Sequence, residues 1–310
     1  MISALAWRIN YAKQLLWKMK WKLKWMLDFS KKENVSSISL VVVGRNDNYG
    51  GDFTERLRAT LDWNLAQLPG AELIYVEWNP VEGRTSDCEW ISMRYPTAKC
   101  FVVPGEIHRS IAMYPDKMPV MEYFGKNLGM RKAASDWILI INADVVIAPD
   151  TIRNMKRLNR DTIYGTHYVS FRWDGKPVNQ AHFADKDLVT VAFSVDRTIK
   201  PVAGNFLLTH RKNWLEATGY DETLTNSRAG VDSNGVAQLL HRGLHEQVIG
   251  HHYHFDHPET IFNNTVLDSH GDRSAVKNFT NIPYRNAPGW GFENYTLKKT
   301  SERTWELQKT

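Results

Sequence analysis

The sequence predicts an α/β fold, a mostly parallel sheet flanked by helices, with an amphipathic helix in front of it. Three observations carry that reading. First, short β-branched or apolar runs recur at Ile38–Val43, Glu72–Trp78, Lys99–Val103 and Trp137–Asn142, each too continuous to be a half-exposed strand. Second, helical spacing fills the gaps at Phe53–Leu68 and Val120–Ala134, and strands alternating with helices imply βαβ units. Third, turn residues close the elements: Gly44, Pro69-Gly70 and Pro104-Gly105.

At 310 residues, 43% of them hydrophobic, the chain can bury one large domain with appendages. The net charge is +5, but much of the Lys excess lies before residue 33. The remainder is close to neutral, which argues against a nucleic-acid-binding surface. Cys88 and Cys100 lack the close spacing of a zinc site and read as reduced core thiols; a disulfide would need an oxidising compartment. No apolar run reaches the ~20 residues of a membrane span, and the N-terminus lacks a signal-peptide layout.

Residues 2–27 contain neither Pro nor Gly. Leu5, Ile9, Ala12, Leu16, Met19, Leu23 and Met26 fall on one helical stripe, with Trp17, Trp21 and Trp25 in an adjoining row. Lys13, Lys18, Lys20, Lys22 and Lys24 fill the remaining surface. Such a helix suits the headgroup region of an anionic membrane, or it packs against protein through its heptad-like seam. The layout predicts a cytoplasmic protein held peripherally at the membrane surface. Asp28–Ser37 reads as a linker, so residues 1–37 form one unit.

The second half is less regular. Strands are expected near Thr162–Trp173, Leu188–Phe193 and Glu246–Phe255, and helices near Lys212–Thr218 and Val231–Arg242. Ligands of such sheets bind beyond the carboxyl ends of the strands, which directs attention to Gly44–Asp47, Glu77–Pro80 and Asn142–Asp144.

The segment with most chemistry runs from Lys126-Asn127-Leu128-Gly129 through Ser135–Asp144. A helix feeds a buried strand, and that strand delivers Asp144 at its carboxyl end with Asn142 on the same face. A carboxylate there can bind a hard divalent cation that bridges two phosphates. This stretch resembles the family-2-like glycosyltransferases of the GT-A (Rossmann-like) fold, whose pattern is an A-R-N-x-G helix followed by a strand ending in D-x-D. Lys126 stands where Arg is usual, and Asn142 replaces the first acid.

Further parts follow in the family's order. Ser39–Asp47 resembles its opening strand and nucleotide loop, with Gly44, Arg45 and Asn46 at the loop. Glu72–Asn79 resembles its second strand, whose terminal acid holds the base. Glu77 takes that role by the resemblance, or is simply a solvated strand end. Gly204–Thr209 and Gly219–Glu222 resemble the loop between donor and acceptor, which implies acceptor contacts for Gly204 and Asn205. Gly230-Val231-Asp232 matches the acid pair opening the next helix, with Val231 in place of the first acid. Asp232 is then the general base, or only a cap for that helix.

A histidine cluster, His251 to His257, follows. On a strand His252 and His254 share a face, and one of the two is expected to complete the metal site. Imidazole favours Mn²⁺, with Mg²⁺ as the alternative.

The resemblance implies a hexosyltransferase-type enzyme using a nucleoside-diphosphate sugar, UDP by default, and a hydroxyl of a glycan or lipid-linked glycan, with inversion. It divides the chain into a nucleotide-binding half, 38–144, an acceptor and catalytic half, 145–257, and a C-terminal extension, 258–310. A retaining, exostosin-like transferase, a non-catalytic carbohydrate-binding protein and a nucleotidyltransferase are the alternatives.

Overall fold

The computed structural model describes residues 32–183, 188–191, 204–227, 230–257 and 284–309. The expected amphipathic helix, and the last two residues of the strand expected at Leu188–Phe193, lie outside the described residues.

The α/β architecture is the one the sequence predicts. In chain order the strands of the main sheet are β2 (Ile38–Gly44), β3 (Glu72–Trp78), β4 (Ala98–Val103), β5 (Trp137–Asn142), β6 (Val145–Ile147), β8 (Thr162–Phe171), β9 (Leu188–Val191), β10 (Phe206–His210), β11 (His245–Phe255), β12 (Thr296–Ser301) and β13 (Thr304–Gln308). Two short strands, β1 (Glu33–Asn34) and β7 (Arg157–Leu158), pair separately. The helices are α1 (Phe53–Gln67), α2 (Asp87–Arg94), α3 (Gly105–Ile111), α4 (Glu122–Lys132), α5 (Pro149–Asn154), α6 (Arg211–Ala217) and α7 (Val231–His241).

Among the described residues the sheet order is β12-β13-β4-β3-β2-β5-β10-β8-β11-β6, with β9 beside β8. The run β13-β4-β3-β2-β5 is parallel. Beyond β5 the sheet is mixed, because β10 runs antiparallel to both β5 and β8 while β11 lies parallel to β8. The predicted parallel character therefore holds for the first half of the chain. The second half returns strands without a crossover helix between each pair.

β2 is buried along its whole length, and its alternation assigns the two faces. Leu40 and Val42 pack with Phe53, Leu57 and Leu61 of α1 and with Ile91 of α2. Val41 and Val43 pack with Leu128 of α4, Trp214 of α6 and Leu239 of α7. α4 lies so close that a Cβ on Gly129 would stand 2.4 Å from Val41 Cγ1, and one on Gly125 2.8 Å from Val43 Cγ1. The glycine of the Lys126–Gly129 motif is thus a helix-on-sheet contact.

Both flanks of the central body are attached to it. Residues 32–37, expected within a linker, are tied to the body: Glu33 pairs with Leu158, the Val35 N–H donates to the Lys156 carbonyl, and the Asp136 N–H donates to Ser37 Oγ. Ser37, one of the polar residues that suggest a linker, instead satisfies a backbone N–H at the start of β5. The C-terminal extension joins the main sheet, since β13 adds parallel to β4 and Trp305 stacks on Phe101.

Candidate active site

The carboxyl ends of β2, β3 and β5 share one edge of the sheet. β10 runs the other way, with Phe206 opposite Ile141, so it starts at this edge and brings Gly204 and Asn205 beside Asn142. β11 ends here too, with His254 opposite Val145 and the Phe255 N–H donating to the Asp144 carbonyl.

Asp144 is the hub of this edge. It is buried, with His254 Nε2 3.3 Å from Oδ1, and His257 Nε2 and Arg56 Nη1 each 3.2 Å from Oδ2. Burial alone would raise its pKa, but His254, His257 and Arg56 outweigh that and hold the carboxyl well below the usual carboxylate range. Arg56 is itself anchored by Asp52, at 2.7 Å, and by the Tyr49 carbonyl. Tyr49 meets the His257 ring edge-on at 5.1 Å between centroids.

Asp144, His254 and His257 present ligand atoms all within 4.8 Å of one another. One carboxylate and two imidazoles form a donor set for a transition metal, and both Nε2 atoms already face the carboxylate. The residues therefore fit a divalent cation of the Mn²⁺ type.

Of the two histidines expected from strand alternation, only His254 reaches Asp144. His252 sits one step back on β11, opposite Ile147. Its Nδ1 lies 2.7 Å from Thr166 Oγ1, and burial together with neighbouring histidines pushes its pKa down to about 3. His252 is committed to Thr166 and stays outside the group formed by Asp144, His254 and His257. His257 completes the group from beyond the strand end, where alternation assigns no face. Arg56 had no signal except its place four residues after Asp52 on α1.

Asp232 lies in the first turn of α7 and is half-buried. A Cβ on Gly204 would stand 2.8 Å from its Oδ2, and Gly204 has φ +79°. Burial raises the Asp232 pKa; the Ser233 N–H and the Lys126 charge oppose that, and Glu122 reinforces it. The Ser233 hydrogen bond is the capping contact, and the Gly204 contact is the one toward the edge.

Asn142, two residues before Asp144, bonds the neighbours of Gly204 and Asp232. Its Nδ2 donates to Asn205 Oδ1 at 2.7 Å, and its Oδ1 accepts from Lys126 Nζ at 3.0 Å. Lys126 is fully buried and ion-paired to Glu122. Asp144, Asn142, Asn205, Gly204, Asp232 and Lys126 thus stand at a single edge.

The remaining predicted residues have other work. Glu77 is a correction. It is fully buried, with Oε1 accepting the Asp87 N–H at 2.9 Å and Oε2 accepting from Cys88 N–H and Ser86 Oγ. α2 has no side-chain cap of its own, and Glu77 satisfies its orphan N–H groups, leaving no face for a nucleobase. Asn127 holds the loop Gly219–Glu222: its Nδ2 donates to the Tyr220 carbonyl and Glu222 Oε1, and its Oδ1 accepts the Tyr220 N–H. Asn46 pins the loop after β3 through the Val81 N–H and the Thr85 carbonyl. Arg45 donates to the Asn79 carbonyl at 2.6 Å and pairs with Asp47. A Cβ on Gly44 would strike Tyr75 Oη at 2.4 Å, a packing constraint rather than room for a ligand.

No protein-family model and no curated protein sequence matches this chain. Among solved structures it is similar to GalNAc-T7 with UDP, GalNAc and Mn²⁺, at 13% identity and TM-score 0.47, over 72% of this chain and 44% of that one. It is also similar to S. aureus TarS, at 13% identity and TM-score 0.43, over 72% and 37%, and to TarS residues 1–349, at 13% and 0.42, over 72% and 61%. The chain spans less than two thirds of each of these structures, and the likeness concerns the arrangement of strands and helices.

Proposed function

We propose that this protein is a metal-assisted glycosyltransferase that moves a sugar from a nucleoside diphosphate, UDP by the family resemblance, to a hydroxyl of a glycan or lipid-linked glycan, with inversion. One observation carries the reading. A metal-type ligand trio, Asp144, His254 and His257, and a half-buried carboxyl, Asp232, occupy one sheet edge, together with the Asn142–Asn205 hydrogen bond.

Asp144, His254 and His257 would hold a divalent cation, Mn²⁺ in preference to Mg²⁺. Bound there, it supplies charge neutralisation for a departing diphosphate. Arg56, fixed by Asp52, adds positive charge at the same carboxylate. Asp232 accepts the acceptor hydroxyl's proton as that oxygen attacks the anomeric carbon. Desolvation raises its basicity, against the Ser233 N–H and the Lys126 charge. Gly204 leaves the approach to Asp232 open, because any side chain there would collide with the carboxylate. Residues 38–144 form the donor half and 145–257 the acceptor half, and residues 2–27 contact an anionic membrane. Removing residues 1–30 releases the protein from anionic liposomes; undiminished binding contradicts that contact.

The deciding experiment measures nucleoside diphosphate release from a panel of nucleotide sugars with Mn²⁺ and a mixed glycan acceptor. Asp144→Ala and Asp232→Asn should each abolish it, and transfer surviving both changes removes the assignment. Arg56 favours a second reading, in which the chain supplies the leaving-group charge without metal; transfer that persists in chelator supports it.

A further inference from the structure

The chain enters its fold at the edge opposite the candidate active site. Residues 32–37 lie across the starts of β2 and β5: the Lys32 carbonyl accepts from Arg157 Nη2 at 3.1 Å, and Ser36 Oγ donates to Asp136 Oδ2 at 3.3 Å. β5 has 6 residues, so this edge and the Asp144 edge stand about 20 Å apart. The Trp- and Lys-rich segment up to residue 31 is therefore joined to the body at the end remote from Asp144 and Asp232.

That remote edge has its own cationic surface. A cleft of about 560 Å³ opens there, lined by Asp136, His210, Arg211, Lys212, Glu216 and Arg285. Lys212 is 73% exposed. Glu216 is shared between Lys212, at 3.6 Å, and Arg242, at 3.4 Å. Arg211 Nε is buried without a hydrogen-bond partner among the described residues. The surface continues to the segment beside the chain entry: Asn213 Nδ2 donates to the Arg160 carbonyl at 2.7 Å, and Lys156, Arg157 and Arg160 are exposed around Glu33. Cations thus surround the point where the indole-bearing segment departs. Lysines address lipid phosphates and indoles the interface, a combination that suits a membrane better than a nucleic acid.

We propose that this edge, from Lys156 and Arg157 across the cleft to Lys212 and Arg285, rests on the headgroups of an anionic lipid surface, so that the Asp144 edge faces away from it. The inference rests on the reading that residues 2–27 contact a membrane, and is independent of the transferase reading. If both hold, the acceptor hydroxyl is presented from the solvent side, about 20 Å or more above the headgroups. That matches a glycan extended from its anchor rather than a sugar at the lipid itself.

The test uses the full chain. Cys88 and Cys100 are buried, at 1% and 0% exposure, so a maleimide fluorophore reports on one introduced cysteine. Asp161→Cys places it at the remote edge, on an exposed position next to Arg160. Met113→Cys places it at the active-site edge. Met113 is 57% exposed in the loop after α3, and Asn79, just past β3, donates to the Pro119 carbonyl of that loop. On phosphatidylserine-containing vesicles carrying a headgroup-level quencher, the Asp161→Cys label is quenched and the Met113→Cys label is not. Lys212→Ala with Arg285→Ala weakens vesicle binding by roughly 30-fold at low salt, and added salt shrinks the difference. Quenching at Met113→Cys equal to that at Asp161→Cys, or a double variant that binds like the parent, overturns the orientation. So does binding to single-stranded RNA in preference to the vesicles. Nucleoside diphosphate release, assayed without vesicles, is untouched by any of these results.

Discussion

Asp144 faces an arginine and two histidines at once, and which of them a cation would recruit is decided by side-chain reach. His257→Ala should lower Mn²⁺ affinity, read as the metal-induced thermal shift, by at least roughly tenfold. His252→Gln should leave it nearly unchanged, since His252 bonds Thr166 rather than Asp144. Equal losses for both would return His252 to the ligand set. A second residue-scale prediction concerns Asp87, whose pKa is raised from 3.8 to about 6, first by burial and then by nearby Glu77, against hydrogen bonds from Trp90 and Tyr75. The folded protein therefore holds this proton more tightly than the unfolded chain. Its contribution to stability is full below about pH 4, and is lost as pH rises through about 6. Asp87→Asn removes that dependence. Urea unfolding at pH 4.5 and pH 7 should show the parent losing roughly 2 kcal/mol more than the variant across this interval. Parallel behaviour of the two proteins would mean Asp87 titrates normally.

At the scale of elements, the first turn of α2 depends on a neighbouring strand. Glu77 at the end of β3 accepts the Asp87 and Cys88 N–H groups and the Ser86 hydroxyl. Glu77→Ala should cost about 1–3 kcal/mol, the range for stranding buried donors, and should speed amide exchange over residues 86–94. A change in nucleotide-sugar affinity without any loss of stability would restore the base-binding role. The strand itself was legible in Glu72–Trp78. The capping role was not, because α2 has a weak sequence pattern and its partner is ten residues away. His257 was hidden for a similar reason: period-two alternation ends with β11 at Phe255, and a residue past the end is placed by the turn, not by the strand.

For the whole molecule, the sheet is finished by strands from the far end of the chain. β13 covers the β4 edge, and β12 forms the outer strand with Lys298 and Lys299 on it. Lysines on an edge strand discourage pairing with another chain. Truncation after residue 295 should expose Phe101 and the β4 ladder, and the product should elute from size exclusion as oligomer or aggregate. A monomer with unchanged melting temperature would show that the hairpin is dispensable. These strands gave no clear motif, since Thr296–Gln308 alternates weakly and is placed by pairing with residues more than two hundred positions earlier.

Local pattern alone determined the parallel strands β2, β3, β4 and β5 with helices α1 and α4, the burial of β2, β3 and β5, and the delivery of Asp144 to a strand end. It could do so because period-two and period-3.6 burial act between neighbours in the chain. Tertiary structure decided what Asp144 meets there: Arg56 from a helix 88 residues earlier and His257 from 113 later. It also turned Glu77 from a surface-facing acid into a cap. Those outcomes depend on distances between elements, which no local periodicity encodes.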